Sequence, residues 1–368
     1  MKHFNVFTFG KNISKINIEE RVNMFGKNLK YYRLKKGLKK KDLAYMCGLT
    51  PMAVSNYESG KRRPDIEIIN KLAKALDIHV VDFLAPRNSS LLFDHREFRK
   101  HSVLTKVQQD YVRESVEEYF NRFFNAVDCL GEASMPDPPK CNWIKIDSDI
   151  EKNAQNLRSA LDLQKEGPID ELVGILENKG FLIYEMDIDN MHFSGMNGFV
   201  GKYPYIVINK NMRPERKRTT IVHELAHLMF LWDGDDDENE KKATAIAGAF
   251  LITKNDLIRE LGLRRTSITK DMNMVCDEYG ISMYLLVKRA AQVGIVSISL
   301  ERAFYIWANK VNFKQIEPIH AKSYKDPQLF KKLVFRAVNE EGVNMQRGAE
   351  LLQVPVSEIK EFCGSLEV

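Results

Sequence analysis

The chain has 368 residues, of which 44% are hydrophobic and 29% charged, a composition typical of a soluble globular protein with two or three domains. The N-terminus has no sustained apolar run, which argues against a signal peptide or a membrane span, and five scattered cysteines without a CxxC pair indicate reduced thiols in a cytoplasm. The net charge of +5 is concentrated in residues 22–86, which hold 13 Lys and Arg against 6 Asp and Glu, so a nucleic-acid-binding module is expected there.

Residues 1–21 are polar and are predicted to form a flexible tail, after which residues 22–86 have the spacing of a helix-turn-helix motif. Gly48 can take the positive φ that the turn requires. Thr50 is a good N-cap and Pro51 suits a first helical turn, so the second helix of the motif is predicted to begin there. The shared core is supplied by Leu43, Leu49, Val54 and Tyr57.

This pattern resembles the XRE (Cro/cI-type) DNA-binding domain, in which the second helix of the motif enters the major groove. The resemblance implies that double-stranded operator DNA is a partner. A homodimer on a pseudo-palindromic site is expected, because a single small helix-turn-helix module seldom gives enough affinity alone. The residues expected to face the DNA are Lys40, Pro51, Met52, Ser55 and Asn56. Lys61, Arg62 and Arg63 are expected to approach phosphates.

Residues 87–142 are predicted to form a helical linker. The segment from residue 93 to residue 130 is long, charged and amphipathic, and its aromatic residues at helical spacing are expected in a core or an interhelical seam. Three prolines in residues 131–139 then indicate an extended connection.

The central motif of the chain is His223-Glu224-Leu225-Ala226-His227. On a helix the two histidines lie on one face, one turn apart, and Glu224 can reach a metal-bound water without being a ligand. A catalytic zinc ion needs a third protein ligand and an open fourth position. Glu240, at the start of the small-residue helix predicted for residues 241–252, is the expected third ligand. Glu238 is the alternative, and residues Asp235 to Glu238 are expected on a solvated turn.

Together with the strand-like residues 205–209 and Glu240-x-x-Ala243, this motif resembles the ImmA/IrrE family of bacterial metallopeptidases. The resemblance covers roughly residues 148–297 and implies that residues 143–297 form a zincin-like α+β domain that binds Zn²⁺ and cleaves peptide bonds. It also implies a protein substrate, a repressor or antitoxin whose cleavage relieves repression. Two chain segments, residues 85–90 and 131–139, are candidates for self-cleavage, although a separate protein is the preferred substrate.

An extended substrate commonly pairs with an edge strand near the metal, and residues 199–201 or 205–208 are the two candidates for that edge. His192, Tyr203 and Tyr205 are candidates for stabilising an oxyanion. Residues 298–368 are predicted to be a C-terminal helical region. The expected protein is therefore multidomain and mainly α with one α+β domain. It is expected to be a regulator with zinc endopeptidase activity; the alternative is a non-catalytic repressor whose peptidase-like domain acts as a sensor or dimerisation module.

Overall fold

The computed structural model describes residues 18–88, 90–95, 104–189, 192–320 and 324–364, with side chains from Met24 onward. Residues 1–17 of the predicted tail lie outside this range. The described residues form two compact units, one containing the chain up to Phe93, residues 104–135 and residues 329–364, the other containing Asp94, His95 and residues 136–328. The fold is mostly helical with a small mixed sheet, which confirms the predicted fold class.

The first unit begins with four helices, α1 Ile18–Lys35, α2 Lys40–Cys47, α3 Pro51–Glu58 and α4 Ile66–Leu76, followed by a 3₁₀ helix, Val80–Leu84. Gly48 ends α2 in the left-handed region at φ 66°, and the Thr50 hydroxyl accepts a hydrogen bond from the Ala53 amide at 3.1 Å. Both features confirm the predicted turn, which sets α3 across α2. The core of these helices includes Leu29, Leu43, Val54, Tyr57 and Leu72.

The rest of the first unit consists of α5 Lys106–Leu130 and three C-terminal helices, α15 Leu329–Asn339, α16 Met345–Leu352 and α17 Val356–Cys363. Helix α5 packs on both α1 and α15. Lys30 of α1 binds Glu114 of α5 at 2.6 Å, and the ring of Phe123 lies 5.4 Å from that of Phe330. The aromatic residues of α5 therefore form an interhelical seam, as predicted.

The second unit contains a sheet of four strands in the order β1-β4-β5-β3, where β1 is Phe93–His95, β3 Leu182–Met186, β4 Gly195–Val200 and β5 Tyr203–Asn209. Strand β4 is antiparallel to β5, and β3 is parallel to β5. A second small sheet pairs β2 Ile144–Lys145 with β6 Phe230–Leu231. The helices of this unit are α6 Ile150–Ala160, α7 Leu172–Asn178, α8 Pro214–Met229, α9 Asp236–Leu251, α10 Lys254–Leu261, α11 Met272–Tyr279, α12 Met283–Gln292, α13 Ile298–Lys310 and α14 Phe313–Ile316.

Helix α8 packs against α9, β4 and β5. Its apolar face includes Ile221, Val222 and Leu225, which are fully buried in the core of the unit. Arg218 of α8 is also fully buried and donates from Nη2 to the Ile169 carbonyl at 2.8 Å; burial lowers the pKa of Arg218 to about 10. The helix is thus fixed on one side by apolar packing and on another by a buried cation.

Three local predictions are corrected by the structure. Residues 93–95, predicted as the start of a long helix, form β1, because they pair with the distant strand β4. Strand β5 lies inside the sheet between β4 and β3, so residues 205–208 are not an edge. Helix α9 begins at Asp236 and not at residue 241, since the acidic residues of its first turn face the positive end of the helix dipole.

None of the helices among the described residues combines the length and the apolar character needed to cross a bilayer.

Candidate metal centre and DNA-binding face

The metal-binding candidates lie where α8 packs on α9. Nε2 of His223 is 3.2 Å from Nε2 of His227, Oε2 of Glu240 is 3.2 Å from Nε2 of His223, and Oε1 of Glu240 is 3.2 Å from Nε2 of His227. Among the described residues, these three are brought together as a cluster that could hold a metal ion. His223 is buried, while His227 and Glu240 are partly exposed.

The donor atoms lie close enough together to surround one zinc ion, within 4.8 Å of one another. Ligand atoms about 2.0–2.1 Å from a tetrahedral zinc ion lie about 3.3–3.4 Å from one another. The Nε2–Nε2 distance of 3.2 Å is close to this edge length, and each Nε2 has a different Glu240 oxygen at 3.2 Å, Oε2 for His223 and Oε1 for His227. Two imidazoles with one carboxylate are a common catalytic zinc set. Burial alone would raise the pKa of Glu240, but hydrogen bonds with His223 and His227 outweigh burial and lower this pKa, so the carboxylate stays ionised. The residues present therefore fit a zinc ion.

The alternative third ligand, Glu238, lies elsewhere. It is exposed and forms an ion pair with Lys242 one turn later on α9, with 2.7 Å between Oε1 and Nζ. On a helix, residues 238 and 240 differ by about 200° in direction, so only one of them can face α8. Glu240 is the one that does.

Two side chains support the histidine rings. The hydroxyl oxygen of Thr244 lies 3.3 Å from Nδ1 of His223, and Thr244 is one helical turn after Glu240. The indole of Trp232 has its ring centroid 5.1 Å from that of His227 and donates from Nε1 to the Ala226 carbonyl at 3.3 Å. A second partner on Nδ1 fixes the orientation of a metal-binding histidine and leaves Nε2 for the metal. Thr244 is four residues after Glu240, so helical spacing alone could have placed the two side chains on the same face of α9.

Glu224 faces strand β4. The Asn197 side-chain amide donates to Oε2 of Glu224 at 2.7 Å, and both residues are buried. Oε1 of Glu224 faces Gly195, where a β-carbon would lie 3.3 Å away. Asn197 and Gly195 are two residues apart on one strand, and therefore on the same face of the sheet. The sequence pattern predicts no role for Asn197, because its contact with Glu224 depends on how the sheet packs on α8.

The three oxyanion candidates have different positions. Tyr205 is fully buried, and its hydroxyl lies 2.6 Å from Nδ1 of His95 in β1. Tyr203 is buried at the start of β5, and His192 is exposed before β4. Tyr203 and Tyr205 alternate with Ile206 along β5, and Ile206 belongs to the core beneath α8. The two tyrosines therefore lie on the sheet face opposite α8.

The predicted DNA-contacting residues lie on α2, α3 and the loop after α3. Pro51, Met52, Lys61, Arg62 and Arg63 are exposed, whereas Ser55 and Asn56 are partly buried. Lys40 donates to the Ser55 hydroxyl at 2.9 Å and lies 3.5 Å from a carboxylate oxygen of Glu58. The start of α2 is thereby tied to the middle of α3.

Two family models match separate parts of the chain. A helix-turn-helix model matches residues 29–83, and a model described as the IrrE N-terminal-like domain, a peptidase family, matches residues 176–291. The matched ranges contain α3 in the first case, and His223, Glu224, His227 and Glu240 in the second.

One curated relative is the SPbeta prophage-derived uncharacterized HTH-type transcriptional regulator YonR of Bacillus subtilis, which is 38% identical over 61 residues. The match covers 17% of this chain and 56% of that regulator, so the chain spans little more than half of the relative. A similarity also exists to the crystal structure of Bacillus thuringiensis PlcR in complex with the peptide PapR7 and DNA. It has 12% identity, covers 93% of this chain and 86% of that one, and has a TM-score of 0.17, too low to support any conclusion. On the two family matches, the chain joins an N-terminal helix-turn-helix domain of the XRE type to an ImmA/IrrE-like peptidase domain.

Proposed function

We propose that this protein is a DNA-binding transcriptional regulator whose second unit is a zinc-dependent endopeptidase, and that it cleaves a repressor or antitoxin protein to relieve repression. The observation that carries the proposal is the cluster of His223, His227 and Glu240, with the buried carboxylate of Glu224 held beside it by Asn197. A non-catalytic domain has no need for a general base beside a metal site.

His223, His227 and Glu240 would hold the zinc ion. When bound, zinc supplies a Lewis acid that lowers the pKa of a water molecule and polarises a carbonyl group. Glu224 accepts a proton at its carboxylate and passes it to the leaving amine of the substrate. Asn197 keeps Oε2 of Glu224 engaged at 2.7 Å, which fixes the plane of the carboxylate. Thr244 fixes the ring of His223 through its Nδ1.

The first unit supplies DNA binding. Pro51 and Met52 are exposed at the N-terminal end of α3. In a helix-turn-helix domain, the N-terminal residues of the recognition helix contact the base edges. Lys61, Arg62 and Arg63 lie in the loop after α3 and are exposed, so this loop carries three positive charges that attract phosphates. A single small motif gives limited affinity, and we therefore expect a homodimer on a pseudo-palindromic operator.

The substrate is proposed to be a separate protein carrying an extended, accessible segment. Cleavage within this chain at residues 85–90 or 131–139 is the competing possibility, since exposed connections are the preferred sites of proteolysis. A regulator that cleaved itself whenever it bound zinc would not accumulate intact.

The test compares the wild type with Glu224→Gln in the native host, by sequencing the new N-termini that appear only in wild-type cells. Glu238→Gln serves as the matched control, because Glu238 lies outside the cluster. We expect Glu224→Gln to retain zinc, measured by metal analysis, and to abolish the new termini. Identical termini in the two strains would exclude the peptidase role, and a terminus within residues 85–142 would show self-cleavage.

A further inference from the structure

A cavity of about 360 Å³ lies in the second unit at the C-terminal end of α8. Six of its lining residues are apolar and two are lysines, Lys140 and Lys179. Small-molecule sites in proteins are mostly apolar clefts of about 300–1,000 Å³ with a few polar groups that orient the ligand. Met229, the last residue of α8, belongs to the lining, whereas the residues of the candidate metal cluster do not. The cavity is therefore a candidate ligand site separate from that cluster.

Backbone contacts hold the walls of this cavity in place. Gly180 has a φ of 81°, and a β-carbon there would overlap the carbonyl group of Asp137, so the proline-containing segment of residues 136–139 lies directly on this glycine. Each proline also fixes its own φ, which stiffens this wall. Elsewhere in the lining, the Trp143 amide donates to the Met229 carbonyl at 3.1 Å. The cavity is thus largely pre-formed, and a ligand does not have to order its walls.

Trp143 contributes an aromatic surface to the lining. This residue is 43% exposed, although the next residue of the chain, Ile144, is buried in the core. Nζ of Lys140 lies 5.6 Å from the centre of the indole ring. An exposed tryptophan leaves a large apolar surface in water, and a flat ring stacked on it removes that surface from solvent. The lining therefore favours a ligand with an aromatic ring.

The charged groups at the cavity favour a single negative charge on the ligand. Nζ of Lys179 is 2.7 Å from a carboxylate oxygen of Asp162, so this lysine is already compensated. Lys140 is exposed and lies against the Trp143 ring, where a carboxylate on a stacked ligand can reach its ammonium group. The two lysines and Asp162 together carry one net positive charge, since two positive groups meet one negative group. A ligand with one carboxylate matches this charge.

We propose that this cavity is a binding site for a small aromatic monocarboxylate, with its ring on Trp143 and its carboxylate at Lys140. Apolar contact of the ring supplies most of the affinity, and the carboxylate supplies selectivity. The inference goes beyond the proposed peptidase function and does not depend on it. Because the lining contains none of His223, His227 and Glu240, the ligand is distinct from the peptide substrate of the proposed reaction.

The test uses two probes, indole-3-acetate, which joins one flat ring to one carboxylate, and its uncharged analogue indole-3-acetamide. The full-length protein is labelled with 5-fluorotryptophan, fluorine NMR follows its three tryptophans, and Trp143→Phe identifies the Trp143 signal. We expect indole-3-acetate to shift the Trp143 signal saturably. The signal of Trp307, which is 48% exposed, should not shift. The carboxylate should bind about three- to five-fold more tightly than the amide, the effect of one ion pair with an exposed lysine.

Two pairs of variants test the two parts of the site. Lys140→Gln should remove the preference for the carboxylate and leave binding of the amide unchanged. Lys145→Gln is its matched control, because Lys145 is also exposed and lies outside the lining. Ala160→Phe adds a ring inside the cavity and should abolish the shift of the Trp143 signal, whereas Ser159→Phe, at the adjacent exposed position, should not. Circular dichroism verifies that each variant is folded.

Three outcomes would overturn the proposal. If the Trp143 signal did not shift, or shifted no more than that of Trp307, the probe would not recognise this cavity. Equal affinities of the wild type for the carboxylate and the amide would remove the role of Lys140. The same conclusion would follow if Lys145→Gln lowered the preference as much as Lys140→Gln. Neither zinc nor hydrolysis is needed for these measurements, so they can succeed or fail independently of the proposed function.

Discussion

The side-chain amide of Asn197 donates to Oε2 of Glu224 across 2.7 Å, and this bond joins α8 to strand β4. Both side chains are buried, so the carboxylate is held with little competition from water. Because Glu224 and His223 are consecutive on α8, the bond also fixes the Glu224 carboxylate relative to the histidines of the candidate metal cluster. A proton acceptor held in this way needs no rearrangement before it acts.

Asn197→Ala is expected to lower kcat by about 10- to 100-fold, the usual effect of removing a residue that orients a catalytic group beside a metal. Zinc content should be unchanged, because the metal cluster consists of His223, His227 and Glu240, whereas the Asn197 amide donates to Glu224. Steady-state kinetics and metal analysis of the same preparations check both statements. Loss of zinc together with activity would show that Asn197 maintains the site as a whole.

Thr244→Val is expected to weaken zinc binding by about 10-fold or more, while Thr244→Ser should retain the affinity of the wild type. Valine keeps the shape of threonine but removes the hydroxyl that lies 3.3 Å from Nδ1 of His223. Titration against a chelator of known affinity measures the difference. If valine and serine gave the same zinc affinity, the hydroxyl would have no role in orienting His223.

Gly195→Ala is expected to destabilise the second unit by about 1–3 kcal/mol through overpacking, and to displace Glu224. A β-carbon there would lie 2.7 Å from Cγ2 of Thr220 and 3.0 Å from the Val207 carbonyl oxygen. Gly174→Ala in α7 is the matched control, since nothing lies within 4 Å of its β-carbon position. Urea unfolding should show a loss of stability only at residue 195.

Local sequence patterns are sufficient to predict the helices and to select the candidate metal ligands. His223 and His227 are one turn apart, and helical periodicity alone places both on one face. The N-cap at Thr50 and the turn at Gly48 depend only on neighbouring residues, and both have the predicted conformation. The order of strands, by contrast, depends on pairing between distant segments, which periodicity does not encode.

Because local sequence patterns do not show which strands pair, they led to the wrong predictions for β1 and β5. Residues 93–95 continue the charged, amphipathic pattern of the segment that follows, and nothing nearby in the sequence reveals that β4 pairs with them. Strand β5 was a candidate edge because it is next to α8 in sequence, yet β3 covers its far side. The contact between Asn197 and Glu224 is missed for the same reason, since it forms only after the sheet packs on α8.

Asp256 is expected to make the stability of the second unit sensitive to acid. Burial would raise the pKa of Asp256, but hydrogen bonds from Thr253, Gly167 and Arg259 outweigh burial and lower this pKa below the ordinary value of 3.8. A lowered folded-state pKa gives stability that is present above the unfolded pKa and lost as the pH falls through the folded one.

Asp256→Asn should therefore cost stability at pH 7, and the difference from wild type should shrink below about pH 4. Urea unfolding at several pH values measures this difference. Asp271→Asn, whose carboxylate is exposed, is the control and should cost far less at pH 7. A difference that stayed constant down to pH 2 would mean that Asp256 acts through shape and not through charge.

Replacing Lys61, Arg62 and Arg63 together by alanine should weaken DNA binding for all sequences and reduce its salt dependence. Each phosphate contact contributes about 0.9 to the slope of log K against log salt, so losing three contacts lowers the slope by about 2.7. The three side chains are exposed in the loop after α3, and three positive charges in this loop attract the DNA backbone. The control removes the same charge from the second unit, as Lys165, Lys210 and Lys270 to alanine, all of which are exposed. If both triple variants changed the slope equally, net charge and not the position of residues 61–63 would govern binding; if neither did, the phosphate contacts lie elsewhere.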